Sequence, residues 1–467
     1  MSSRLRLLPL VLAMAGSVLL SAGMVPAAAQ TAPAPVTLKA GGDTYIVPLL
    51  GGVGPGLAQG SNPVDVSYLG QGLAKLDDFV QGDLDFAIAD VPLTTEDAAA
   101  LSKRTPYAYA PIAAGPLVFM YNLTRNSSNA QTAEAERIRD LQLSPTTLAA
   151  IFTGQVPGGQ WRSDLITADY GKKVELSVAG GTIRPIVRSD PSGASLILTQ
   201  WFNLKAKDLW NSFTTQAKVP STPLREYPFV VGAVARQAGD DGAVGFVAKN
   251  REIGDESGGG MTSLTYTSPF KAKEVNLPTM AVKNAAGNYA KPTPQGVASA
   301  LDAAQVNPDN TLTLNFDAPK ADAYPLSFVT YAIVPTKGLS PEKSRALGTF
   351  LSTTAGPAGQ AKAAELGFAT LPKPLADRTL KIADQLSAQG PAAPAPDADP
   401  DASVSSSGAG GGGGASQAAS SSGSGAADSG GEGLADTGSS PQGRLVGFGV
   451  ALMVAGETLR RRMRRRV

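Results

Sequence analysis

The chain has 467 residues, with 40 Lys plus Arg against 39 Asp plus Glu, no Cys and no His. Balanced charge leaves no electrostatic footprint for nucleic acid, so any electrostatics must act locally. The missing residues exclude disulfides, thiol nucleophiles, thiolate or histidine-ligated metal sites, an N-terminal lipid on cysteine, Ser-His-Asp and Cys-His catalysis, and a histidine switch.

At the start, Arg4 and Arg6 precede the apolar run Leu7 to Leu20 and the small residues Ala27-Ala28-Ala29 before Gln30. This reads as a secretory signal peptide over 1–29; the short run and Pro26 argue against a membrane-anchoring helix. The folded part is expected from Val36 to about Gln385. Strands at Thr37 to Lys39, Val64 to Tyr68 and Leu84 to Ile88 alternate with helices at Leu73 to Val80 and Glu96 to Ser102, which predicts an α/β fold. Ligands in such sheets bind beyond the carboxyl ends of strands. The loops there are Gly41-Gly42-Asp43-Thr44-Tyr45, Tyr68-Leu69-Gly70-Gln71-Gly72 and Ala89-Asp90-Val91-Pro92-Leu93-Thr94. Asp90 has a second reading as a cap for the helix after Thr94.

Further on, Leu143 to Gly154 reads as a capped amphipathic helix ended by glycine, and Trp161 as closing a surface loop nearby. The stretch from Val187 to Ser195, Val-Arg-Ser-Asp-Pro-Ser-Gly-Ala-Ser, reads as a turn opening a helix. Arg188, Ser192 and the Gly193 amide meet where helix N–H groups have no intrahelical partner, a candidate pocket for a small anion, with Asp190 placed to hold the Arg188 fork. The same residues also make ordinary turn and cap chemistry. Trp201, Phe202 and Trp210, at helical spacing, read as core rather than as a lining for a sugar or base.

In this order the motifs resemble the phosphate-binding proteins (PstS-like) of phosphate ABC transporters, in the type II periplasmic-binding-protein superfamily. The matching segments are Gly-Gly-x-Thr-Tyr at Gly41, Tyr-x-Gly-x-Gly at Tyr68, Asp85 to Thr94, Tyr109 to Asn122, Arg188 to Gly193, Gly242 to Phe246, Met280 to Gly287, Tyr324-Pro325-Leu326 and Leu366 to Pro372. The resemblance implies a two-lobed fold with an anion in the cleft: lobe 1 over 30–120, lobe 2 over 121–326, and a return to lobe 1 over 327–385. It implies hydroxyl and amide donors from Thr44, an amide from Tyr45, and donors from Arg188, Ser192 and Gly193. It makes Asp90 the selectivity residue, because a carboxylate tolerates an anion that brings a proton, as hydrogen phosphate does and sulfate does not. Asp190 would orient Arg188. Two positions depart from the family: Leu73 stands where a Ser is expected and Ala194 where a Thr is expected. Each keeps its amide and loses a hydroxyl. At about 1.5–3 kcal/mol per hydrogen bond to a charged group, the two losses weaken binding by roughly two to four powers of ten unless Gln71 or Ser195 compensates.

Beyond 385 the composition becomes Pro/Ala-rich and then Gly/Ser-rich over 386–433, which predicts a disordered tether. The segment 434–467 opens with Leu434-Ala435-Asp436-Thr437-Gly438, continues with an apolar run from Leu445 to Gly456, and ends in Arg460 to Arg466. It resembles a sortase sorting signal cut between Thr437 and Gly438, with a transient membrane stop and wall attachment; a permanent C-terminal anchor is the alternative. The expected function is an exported, cell-surface-anchored solute-binding protein that captures phosphate or a related oxyanion for an ABC permease, with sortase and peptidoglycan as further partners and no nucleic acid. No metal, cofactor or enzymatic activity is expected. The other readings are a wall adhesin with a degenerate site and a phosphohydrolase using Thr44, Asp90 and Asp190.

Overall fold

The computed structural model describes residues 33–59, 62–125, 136–176, 181–249 and 262–389. The expected signal peptide, the tether beyond 389 and the sorting segment lie outside these residues. Among the described residues, no helix is long and apolar enough to cross a membrane.

The first lobe begins with β1 (Val36–Gly42), α1 (Val47–Leu57), β2 (Val64–Gly70), α2 (Lys75–Gln81), β3 (Phe86–Ala89), α3 (Thr95–Arg104) and β4 (Tyr107–Pro116). The second carries β5 (Val118–Arg125), β6 (Glu136–Arg137), α4 (Pro145–Phe152), β7 (Arg184–Arg188), α5 (Gly193–Lys205), β8 (Ala235–Gln237), α6 (Gly239–Lys249) and β9 (Thr262–Thr267). The chain then returns through β10 (Ser327–Pro335), α7 (Pro341–Ala355) and α8 (Lys373–Ser387). One five-stranded sheet has the order β2-β1-β3-β10-β4, the other β6-β5-β9-β7-β8. Strand β1 runs parallel to β2 and β3, whereas β10 is antiparallel to β3 and β4. In the second sheet β7 runs parallel to β8 and β9, and β9 is antiparallel to β5.

The central strands are apolar because both of their faces are covered. Every residue of β3 and β10 is buried, so these segments lack the alternation of a half-exposed strand. Outgoing and returning chain meet where Leu117 N donates to Leu326 O at 2.8 Å, next to Tyr324-Pro325-Leu326.

Helix starts follow local chemistry. Ser144 caps α4 by accepting from Thr147 N, and Gly154 ends that segment with φ +69°. Thr94 caps α3 by accepting from Asp97 N, so Asp90 is not its cap. Trp201, Phe202 and Trp210 are core, as their spacing predicts. Trp161 corrects the expectation of a surface loop. It is fully buried, and its indole N–H donates to Thr262 O at 3.0 Å, which offsets the cost of burying that polar group.

Gly42 closes β1 at φ +145°, and a Cβ there would lie 1.8 Å from Ile88 O, the carbonyl that accepts from Asp43 N. Gly42→Ala is expected to destabilise the fold by on the order of 3 kcal/mol through strain and overpacking, read as a lower urea midpoint.

Candidate functional site

The carboxyl ends of β1, β3, β7 and β8 converge between the two sheets, and each delivers a charged side chain. β1 ends beside Asp43 and Thr44, β3 runs into Asp90, β7 ends on Arg188, and β8 leads to Asp240 in the first turn of α6. All three of these aspartates and Arg188 are buried. Two cavities flank this polar centre. One of about 690 Å³ is bordered by Thr44, Val47, Tyr68, Gly70 and Asp240, and one of about 260 Å³ by Asp90, Ile197, Phe328 and Tyr331.

The Arg188 guanidinium is held by three hydrogen bonds to two partners. Its Nε donates to Asp190 Oδ1 at 3.2 Å, its Nη2 to Asp190 Oδ2, and its Nη1 to Thr44 Oγ1 at 3.1 Å. Asp190 also accepts from Gly239 N at 2.8 Å, so the carboxylate that orients Arg188 is itself fixed. Burial opposes the Arg188 charge, but the bond and charge of Asp190, with Asp240 and Asp43 behind, outweigh it and hold the guanidinium above its ordinary value. Burial likewise opposes ionised Asp190, and Arg188 overcomes it, so Asp190 titrates below the usual carboxylate range.

The turn before α5 forms as its residues predict. Ser192 is the N-cap, and its hydroxyl accepts from Ser195 N at 3.1 Å and donates to Ser195 Oγ at 2.9 Å. That hydroxyl therefore serves the cap. Ser195 Oγ also shares a hydrogen bond with Tyr266 OH at 2.7 Å, and Gln71 is exposed. Gly193 N donates across the cleft to Asp43 Oδ1 at 3.1 Å. A Cβ on Gly193 would lie 2.7 Å from both Asp43 Oδ2 and Asp90 Cβ, so only glycine lets the helix end approach this closely.

Asp90 accepts from Thr330 Oγ1 at 2.6 Å, and its amide donates to Asp43 Oδ2 at 3.0 Å. Thr330 sits where the pairing of β10 with β4 shifts register, Ala113 facing Thr330 and Pro111 facing Tyr331. Burial first, then the charge of Asp43, push the Asp90 carboxyl well above its ordinary range, against Thr330 and Arg188. Burial also raises Asp43, against the Asp90 amide, the Arg188 charge and the Gly193 amide. Tyr45 is pinned by donation from its hydroxyl to Pro116 O at 3.2 Å and by contact with the Phe328 and Phe368 rings. Leu73 and Ala194 are buried, and Leu73 N donates to Pro191 O at 3.1 Å in the other lobe.

Thr44, Tyr45, Asp90, Arg188, Asp190, Ser192 and Gly193 are thus brought to one centre, with Leu73 and Ala194 at its edge. Asp43, Thr330, Tyr266 and Asp240 belong to the same centre but are not among the residues the motifs single out. Asp43 was legible as an acidic residue at the carboxyl end of a strand, and Asp240 as part of an acidic first turn. Thr330 has no local signal, because it reaches the site through the sheet. Among the described residues, no cluster of acidic side chains could hold a metal ion.

A family model described as a PBP superfamily domain matches residues 27–355. The chain belongs to the PBP superfamily. Within this superfamily, it is 29% identical over 308 residues to phosphate-binding protein PstS3 of Mycobacterium bovis, covering 64% of this chain and 72% of that protein. It is 28% identical over 229 residues to phosphate-binding protein PstS of Methanocaldococcus jannaschii, covering 46% and 53% respectively. The fold matches the ancestral soluble variant of the human phosphate binding protein with a TM-score of 0.54 at 18% identity, over 73% of this chain and 93% of that one. It also matches the periplasmic phosphate-binding protein PfluDING with a TM-score of 0.53 at 17% identity, over 73% and 92%. The fold is therefore the two-lobed α/β arrangement of this superfamily.

Asp43 and Asp90 titrate higher in the folded chain than in the unfolded one, so the folded chain binds more protons between the ordinary carboxylate range and their raised values. Their contribution to stability falls as pH rises through that window. Asp90→Asn is expected to raise Tm at pH values above the ordinary carboxylate range and to flatten the dependence of Tm on pH there. Thermal melts check this, and an unchanged slope would assign the pH dependence to other groups.

Proposed function

We propose that this PBP superfamily protein binds inorganic phosphate in the cleft between its lobes and acts as an exported solute-binding protein. The observation that carries the reading is the pairing of a buried, fixed cation, Arg188, with a buried carboxylate, Asp90, at the carboxyl ends of facing strands. Arg188 offers charge to an oxyanion, and Asp90 penalises an anion that has no proton to share. The names of the mycobacterial and archaeal relatives support phosphate as that anion. Binding fits better than turnover, since the two carboxylates that the phosphohydrolase reading uses are engaged, Asp190 by Arg188 and Asp90 by Thr330.

The ligand set is proposed as Thr44, Tyr45, Asp90, Arg188 and Gly193, with Asp190 positioning Arg188. Ser192 shapes the helix end on which the anion would rest, and Ala194 contributes its backbone rather than a hydroxyl, while the Leu73 amide joins the lobes through Pro191 O. Delivery to an ABC permease and retention at the cell surface through the segment from Leu434 to Val467 complete the reading; sortase cleavage after Thr437 is its most specific element.

Titration calorimetry with phosphate and sulfate is the test. The wild-type protein is expected to bind phosphate and exclude sulfate, whereas Asp90→Asn should gain sulfate or lose phosphate affinity by about tenfold or more, and Arg188→Ala should lose both anions. Absence of binding at millimolar phosphate would overturn the reading.

A further inference from the structure

The least expected feature of the cleft is that a side chain of the protein already sits on the α5 N-terminus. Asp43 is 1% exposed. Its carboxylate accepts from Gly193 N of the second lobe at 3.1 Å and from Asp90 N of the first at 3.0 Å. Its backbone is fixed as well, because Asp43 N donates to Ile88 O at 3.0 Å and Asp43 O accepts from Tyr68 OH at 2.7 Å. The orphan N–H groups and dipole at a helix start attract an anion, and here the anion is covalently part of the chain.

We propose that Asp43 is a specificity-determining residue that acts as a tethered anion: its carboxylate competes with phosphate for the Gly193 N–H and the α5 N-terminus, so phosphate binds in step with displacement or protonation of Asp43. This rests on the reading of the cleft as a phosphate site. The charged and titratable groups facing Asp43 are Asp90 after β3, Arg188 and Asp190 at the end of β7, and the Tyr68 hydroxyl on β2, with Asp240 on α6 acting on Asp90 and Arg188. Arg188 is the one cation in that set. With Asp43 ionised and in place, a dianionic ligand would meet it and Asp90 together with too little positive charge to balance them, whereas displacing or protonating Asp43 leaves Asp90 alone to accept the ligand's hydrogen. Burial also raises the Asp43 carboxyl, so acidification favours the neutral form of the competitor.

The test is phosphate titration of wild type, Asp43→Ala and the near-isosteric Asp43→Asn at about pH 8 and about pH 5, comparing proteins at each pH so that phosphate's own ionisation cancels. Both variants are expected to bind about ten- to a hundredfold tighter than wild type at the higher pH, and the gap should close toward unity at the lower. Asp43→Asn keeps the side-chain volume, so a folding defect in Asp43→Ala would still leave the comparison intact. Equal or weaker phosphate binding by the variants at the higher pH, or a gap that does not change with pH, would overturn the role of Asp43 and leave the phosphate reading standing. Phosphate binding by none of the proteins would overturn both.

Discussion

The cleft depends on how one buried cation is balanced. Arg188 lies among Asp43, Asp90, Asp190 and Asp240, and a guanidinium removed from water is tolerable only with its donors engaged. Asp190 supplies a two-pronged bond, Thr44 takes a third N–H from the other lobe, and Gly239 N anchors Asp190 in turn. This leaves Asp43 and Asp90 less compensated. They share what remains of the Arg188 field with backbone amides and the Thr330 hydroxyl, which is why burial drives both of them toward the protonated form. The acidity of the cleft is therefore a consequence of its charge count as much as of any single contact.

Backbone approach makes this balance possible. Gly72 has φ +71°, and a Cβ there would sit 2.4 Å from Pro191 O, while Gly193 touches Asp43 and Asp90 on its other side. The two lobes thus meet through glycine backbone on both flanks of Arg188. Around that contact Leu73 N donates to Pro191 O, Arg188 to Thr44, and Gly193 N to Asp43, with Arg225 and Asp97 paired at 3.6 Å further out. The Arg225–Asp97 pair is partly solvated and adds little. The buried bonds carry the closure.

Much of this was legible in the sequence, and the failures have physical reasons. Strand ends could be located because β1, β2 and β3 are short apolar runs closed by glycine, or by Asp-x-Pro, and ligand sites in α/β sheets lie beyond such ends. The α5 start was readable from Ser192-Gly193 because capping is a local rule. Thr330 was not, since its role is a hydrogen bond to a residue 240 positions away, made across the sheet. Trp161 was misplaced because a lone tryptophan in a polar stretch carries no periodicity, and its burial is decided by a carbonyl of β9. Asp43 was legible as an acidic residue at a strand end, but its role was not, because glycines and a following threonine draw attention to backbone and hydroxyl donors. Its partner is the first amide of a helix 150 residues away, a contact no local pattern encodes.

Leu73 joins the lobes through its backbone, its amide donating to Pro191 O. The Asp43–Gly193 bond works in the same sense. Each gives the closed arrangement some stability of its own, and a ligand can shift an equilibrium only by the difference in its affinity for the two states. Where the chain's own bonds already favour closure, less of that shift is left for the anion to drive. Selectivity must then come from which anion can replace an internal bond on better terms. Charge and protonation decide those terms, because the helix end, Arg188 and the two less compensated carboxylates are already held in place.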